Sequence, residues 1–114
     1  MMTSFLTKSY EFSASYSEVD KVVGHNYVLR ATFETSGDDA GEALDKKIQD
    51  TLIKKIHSSD LGQHVDFLKN KKITDLTLLK TFWPLVAQAA LPARLERLCL
   101  ERDRTTQWAL TAHA

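Results

Sequence analysis

The sequence predicts an α+β layer of element order ββααββ, a four-stranded antiparallel sheet with both helices on one face. Three observations carry that expectation. Apolar and polar residues alternate over residues 6–16 and again over 27–35, the period of half-buried strands. Apolar residues then recur every four positions at Leu44, Ile48, Leu52 and Ile56, as on one stripe of a helix. Alternation returns after Pro92.

The first strand puts Leu6, Tyr10, Phe12, Ala14 and Tyr16 on one face, with Thr7, Ser9, Glu11, Ser13 and Ser15 on the other. The second, Tyr27 to Thr35, repeats the pattern with Tyr27, Leu29, Ala31 and Phe33 facing inward. A short link, Ser17 to Val23, makes an antiparallel pair the natural connection. Ser36-Gly37-Asp38-Asp39 follows as a turn and capping-box pattern for the first helix. Its i,i+4 pairs, Glu42 with Lys46 and Asp50 with Lys54, each contribute only about 0.2–0.5 kcal/mol. The helix is expected to end near His57-Ser58-Ser59-Asp60, with Gly62 as the break.

Thr74 is the expected N-cap of the second helix, whose apolar side is Leu78, Leu79, Phe82, Trp83 and Val86. Pro84 costs about 3 kcal/mol in an ideal helix interior, so a kink or a break after Trp83 is expected. Pro92 closes the segment. Ala93 to Glu101 and a strand with Thr106, Trp108, Leu110 and Ala112 on one face form a second hairpin, turning at Arg102-Asp103-Arg104.

Composition narrows the function classes. A chain of 114 residues fits one core and one domain, 1–114. Fifteen basic and fifteen acidic side chains cancel, so no global field draws the protein to nucleic acid or anionic lipid, and neither partner is expected. The single cysteine, Cys99, cannot close an intramolecular disulfide and reads as a structural thiol in an apolar strand. No apolar run approaches the roughly 20 residues of a membrane-spanning helix. The segment Met1 to Lys8 lacks the pattern of a signal peptide, so the expected location is the cytoplasm.

The order of elements, with Phe12-Ser13-Ala14-Ser15 closing one strand, Gly24-His25-Asn26-Tyr27 opening the next and Glu101 on the third, resembles the 6-pyruvoyl-tetrahydropterin synthase family. Bacterial relatives in that family include 6-carboxytetrahydropterin synthase of the queuosine pathway. The resemblance implies the tunnelling fold (T-fold), in which ββααββ subunits assemble into barrel-shaped hexamers. It also implies active sites between subunits, where a glutamate anchors the pterin ring and zinc sits on three histidines.

Carried over by position, the three zinc histidines fall on Tyr16, Val23 and His25, so one ligand of three remains. The catalytic cysteine expected ahead of the glycine motif is absent from Ser17 to Val23. The Asp-His pair falls on Ile56-His57 and keeps only the histidine. The opening of the second helix keeps Thr74, and Glu101 matches the pterin-anchoring glutamate. A catalytic zinc needs three protein ligands and an open position, so no metal cofactor is expected here, although the family carries zinc. His57 and His64 lie at unrelated spacing.

The sequence therefore leaves His25 and His57 as candidate catalytic residues, and Glu101 and Thr74 as candidate substrate-binding residues. The competing accounts are structural: His25 capping its turn, His57 answering a helix dipole, and Glu101 in an ion pair. The resemblance implies a divergent synthase-like protein that binds a pterin- or purine-like heterocycle at an interface of a homo-oligomer, a trimer or hexamer. The alternatives are an active carbon–oxygen lyase of altered site and a non-catalytic T-fold subunit.

Overall fold

The computed structural model describes residues 3–18, 21–35, 40–61, 65, 68 and 72–112. Strands β1 (Phe5–Glu18) and β2 (Lys21–Glu34) pair antiparallel over their whole length, from Phe5 opposite Glu34 to Glu18 opposite Lys21. The hairpin is longer than expected. Most of the supposed link is ladder, with Tyr16 opposite Val23 and Ser17 opposite Val22. Those positions hold no Gly, Pro or Asn to turn the chain, and two β-branched valines favour its continuing as strand.

The first helical rod begins as α1 (Ala40–Ile48), passes through a π-helical turn (Gln49–Ile53) and ends as α2 (Lys54–Ile56). The junction residues Ile48, Ile53 and Lys54 all keep right-handed helical dihedrals, so the rod is continuous. The π turn has a cause in the sequence. An apolar spacing of four exceeds the about 3.6 residues of an α turn, so the stripe would drift around an ideal helix. One underwound turn helps bring Leu52, Ile53 and Ile56 back to the core, where all three are buried. The expected capping box at Ser36–Asp39, the Gly62 break and His64 lie outside the described residues.

After the rod, Ser58 adopts a left-handed φ of 58°. The chain then runs beside β1 as β3 (Ser59–Asp60), parallel to Ala14 and Ser15. Ser58 N–H donates to the Ser13 carbonyl and Leu61 N–H to that of Ser15. The second rod, α3 (Asp75–Ala90), starts at Thr74, whose hydroxyl accepts the Thr77 N–H at 3.1 Å. Pro84 lies within α3 and does not end it. Lys80, whose carbonyl loses a helical partner, and Pro84 are both exposed, so water can replace the missing bond.

Strands β4 (Arg94–Arg102) and β5 (Thr106–Thr111) complete the sheet in the order β3-β1-β2-β4-β5. The α+β class holds, but the sheet is five-stranded and mixed rather than four-stranded and antiparallel. The free edge of β1 accepts the two-residue β3, which periodicity could not reveal because two residues have no period. A bulge displaces the β2–β4 register, with Thr32 opposite Arg97 but Phe33 opposite Leu95.

Both rods cover one sheet face. There Phe12 stacks on Tyr27 at 4.9 Å between centroids and meets Phe82 of α3 edge-on at 6.3 Å. The opposite face is open, and Ser13, Asn26, Val28 and Glu101 project from it. Cys99 is on this open face too, 5% exposed, with Arg97 Nε and Gln107 Nε2 each 3.4 Å from its sulfur.

Candidate functional site

The β1–β2 ladder decides which residues share a face. Residues opposite one another project to the same side, and so do residues two apart on one strand. Tyr16 opposes Val23, and His25 is two positions along from Val23. All three therefore lie together on the helix side, near the hairpin end. They share that face, with the Tyr16 and His25 rings in contact, but only His25 offers a nitrogen. Among the described residues no group of three His, Cys, Asp or Glu side chains is placed to hold a metal ion. A phenol, an isopropyl group and one imidazole do not fit a catalytic zinc.

His25 has other partners. Its Nδ1 is 2.5 Å from Asp103 Oδ2, and its Nε2 is 3.5 Å from the Tyr16 hydroxyl. Asp103 follows β4 in a turn where it and Arg104 take left-handed φ values of 52° and 61°. That turn folds the carboxylate back over the start of the Gly24–Tyr27 motif. Asn26 N–H donates to Asp103 Oδ1 at 2.8 Å, and Asp103 N–H returns a bond to the Asn26 carbonyl. The Asn26 N–H, and then His25, hold the Asp103 carboxyl below the usual carboxylate range.

His57 lies at the C-terminal end of α2, where its Nδ1 accepts the Ser13 backbone N–H at 3.1 Å. A backbone N–H can only donate, so neutral His57 carries its proton on Nε2. The Ser13 hydroxyl in turn donates to Asn26 Oδ1 at 2.8 Å. His57 and Glu101 line the same cleft, of about 550 Å³, together with Glu11, Asn26, Val28 and Arg104. Glu11, Val28 and Glu101 form one rung across β1, β2 and β4, which puts two carboxylates astride a valine. Arg30 approaches Glu101 at 3.7 Å. A smaller cleft of about 340 Å³ adjoins the first at Ser13, Asn26 and Asp103, and His25 lines it.

The fold thus gathers His57 with Glu101, and sets His25 next door. Thr74 lies apart from both clefts as the cap of α3, its hydroxyl also donating to Thr77 Oγ1 at 2.8 Å. Beside it, Asp75 pairs with Arg102, whose Nε is 3.1 Å from both carboxylate oxygens. Sequence reasoning missed Asp103, which is 78 residues from His25. Its one signal was an acidic residue between two arginines in an expected turn. Tyr27 is 1% exposed, and its hydroxyl finds no hydrogen-bond partner among the described residues. Burial raises its pKa well above the ordinary phenol value.

Hairpin, helical rods and hairpin on one five-stranded sheet make a T-fold-like α+β architecture. Among solved structures, it is similar to that of Caenorhabditis elegans 6-pyruvoyl tetrahydropterin synthase. That likeness has a TM-score of 0.76 and covers 99% of this chain and 98% of that one, at 14% sequence identity. The shared property is the fold. No protein-family model matches the sequence, and no curated protein matches it. No helix among the described residues is long and apolar enough to cross a membrane.

Proposed function

We propose that this chain is a divergent 6-pyruvoyl-tetrahydropterin synthase-like protein that binds a planar, pterin- or purine-like heterocycle around Glu101, without zinc-dependent chemistry. The observation that carries the reading is the meeting of Glu101 and His57 in one cleft of about 550 Å³, a size suited to a small ligand. An amino group and a ring N–H on one edge of the heterocycle can donate together to a carboxylate. His57, a donor at Nε2, suits a ring carbonyl. Glu11 and Asn26 supply further acceptors.

The binding site is completed at an interface of a cytoplasmic homo-oligomer, a trimer or hexamer. Two outer strands support that part of the reading. Among the described residues β3 pairs with β1 at Ala14 and Ser15 alone, and β5 ends the sheet on the other side. An exposed aromatic sits on each side of the sheet, Phe5 of β1 at 60% and Trp108 of β5 at 46%. Paired edges would bury both.

Thermal shift with a pterin and with guanine, on wild type and Glu101→Gln, tests the proposal. Losing a charge-assisted acceptor costs about 1.5–3 kcal/mol, roughly 10- to 100-fold in affinity. Stabilisation by one of the ligands, abolished in the variant, is the expected result. A wild-type protein stabilised by neither ligand refutes the binding reading. Light scattering on the same samples reads the oligomer, and a stable monomer refutes the interface. About one zinc per subunit, lost in His25→Ala, refutes the metal-free reading.

A further inference from the structure

We propose that Asp103 is a positioning residue that locks His25 in its Nδ1–H tautomer, so that Nε2 faces the Tyr16 phenol as a proton acceptor. The inference is independent of what ligand the larger cleft takes. An ionised carboxylate can only accept hydrogen bonds. Asp103 Oδ1 accepts the Asn26 N–H, and Oδ2 lies 2.5 Å from His25 Nδ1. The proton in that second contact comes from the imidazole. Nε2 is left with its lone pair, 3.5 Å from a hydroxyl able to donate.

The imidazole is fixed on three sides. Asp103 grips Nδ1, the Tyr16 ring lies tilted at 5.7 Å, and the Tyr27 ring meets it edge-on at 5.9 Å. The ionisable groups gathered here are Tyr16 of β1, Tyr27 of β2, Arg102 of β4, Asp103 of the following turn and Asp75 of α3. Arg102 is engaged by Asp75. That leaves the Asp103 carboxylate to balance charge on the imidazole. Transfer of the Tyr16 O–H proton to Nε2 would give a phenolate and an imidazolium beside Asp103, with no co-reactant required. Asp103, His25 and Tyr16 thereby form a hydrogen-bonded Asp–His–Tyr relay.

The contrast with His57 makes the idea testable in one spectrum. Ser13 N–H imposes the Nε2–H form on His57, whereas Asp103 imposes Nδ1–H on His25. In Asp103→Asn the carboxamide has one acceptor and one donor. The Asn26 N–H takes the acceptor, so the amide NH2 faces Nδ1, and His25 must move its proton to Nε2.

The experiment is a ¹H–¹⁵N correlation of the histidine ring nitrogens at a pH where both imidazoles are neutral. Wild type, Asp103→Asn and Tyr16→Phe are compared, with backbone amide spectra as the fold control. The expected result is Nδ1–H for His25 in wild type, Nε2–H in Asp103→Asn, and Nε2–H for His57 throughout. Tyr16→Phe keeps Nδ1–H on His25 but shifts Nε2 toward a nitrogen without a bonded donor. An Nε2–H His25 in wild type overturns the proposal even if the Asp103 variant does not fold. An unchanged tautomer in a natively folded Asp103→Asn does so too, since a merely structural clamp would leave the ring proton where it was.

Discussion

The pair Asp75–Arg102 joins the N-terminus of α3 to the end of β4, and its removal has a calculable cost. Arg102 opposes Tyr27 on the helix side of the sheet, and its Nε reaches both Asp75 oxygens at 3.1 Å. The two side chains are 29% and 13% exposed, so the pair is neither a surface bridge nor fully buried. Exposed pairs contribute about 0–1 kcal/mol, whereas breaking a buried pair costs about 3–5 kcal/mol. Arg102→Ala strands a carboxylate that is mostly withdrawn from water. The helix terminus still stabilises that carboxylate by about 0.3–1 kcal/mol, which softens the loss. The expected destabilisation is about 2 kcal/mol. A double-mutant cycle with Asp75→Ala should return a coupling of about 1–2 kcal/mol. Urea unfolding at fixed protein concentration measures it, provided the slope m is unchanged. Arg102→Lys should recover less than half, because an ammonium lacks the planar fork. A coupling below about 0.3 kcal/mol, the usual additivity error, would refute the reasoning.

Two more outcomes follow from local features. Pro84→Ala restores an N–H to the exposed face of α3 and should stabilise the protein by about 2 kcal/mol, the helix-propensity gain less the entropy regained by the unfolded chain. A lower urea midpoint in that variant would mean that the proline shapes the rod. Asp103 has a folded pKa below its unfolded value. Its contribution to stability is therefore present above the unfolded pKa, about 3.9, and is lost as pH falls through the lower folded value. Asp103→Asn should flatten that acid limb of the stability profile below about pH 4. Equal pH slopes for wild type and variant between pH 4 and 2 would contradict the assignment.

The elements legible in the sequence were those with long, regular periods. Alternation at Tyr10, Phe12, Ala14 and at Tyr27 to Phe33 marks the buried sheet face, and each of these side chains is buried. Thr74 marks the start of α3 as a cap. The failures were local events without a pattern of their own. The hairpin runs past the expected end because Tyr16 to Val23 lacks alternation, although Tyr16, Ser17 and Glu18 pair with Val23, Val22 and Lys21. The rung from Glu11 through Val28 to Glu101 needed the strand register, since no local spacing relates three separate strands. His57 reached the Glu101 cleft only because the first rod ends beside β1 and Ser13 N–H seizes its ring.

By itself, then, the sequence determined the α+β class, the core faces and the poverty of the metal motif, since Tyr16 and Val23 are poor donors in any fold. Only the tertiary structure decided what stands in place of that motif. Side-chain identity sets which donors exist, but partners come from register and turn geometry. A left-handed turn 78 residues away delivers Asp103 to His25, and cross-strand pairing puts Tyr16 on the same side. Hydrogen-bonding capacity is written residue by residue, whereas the direction of a shared proton depends on what the fold brings within reach.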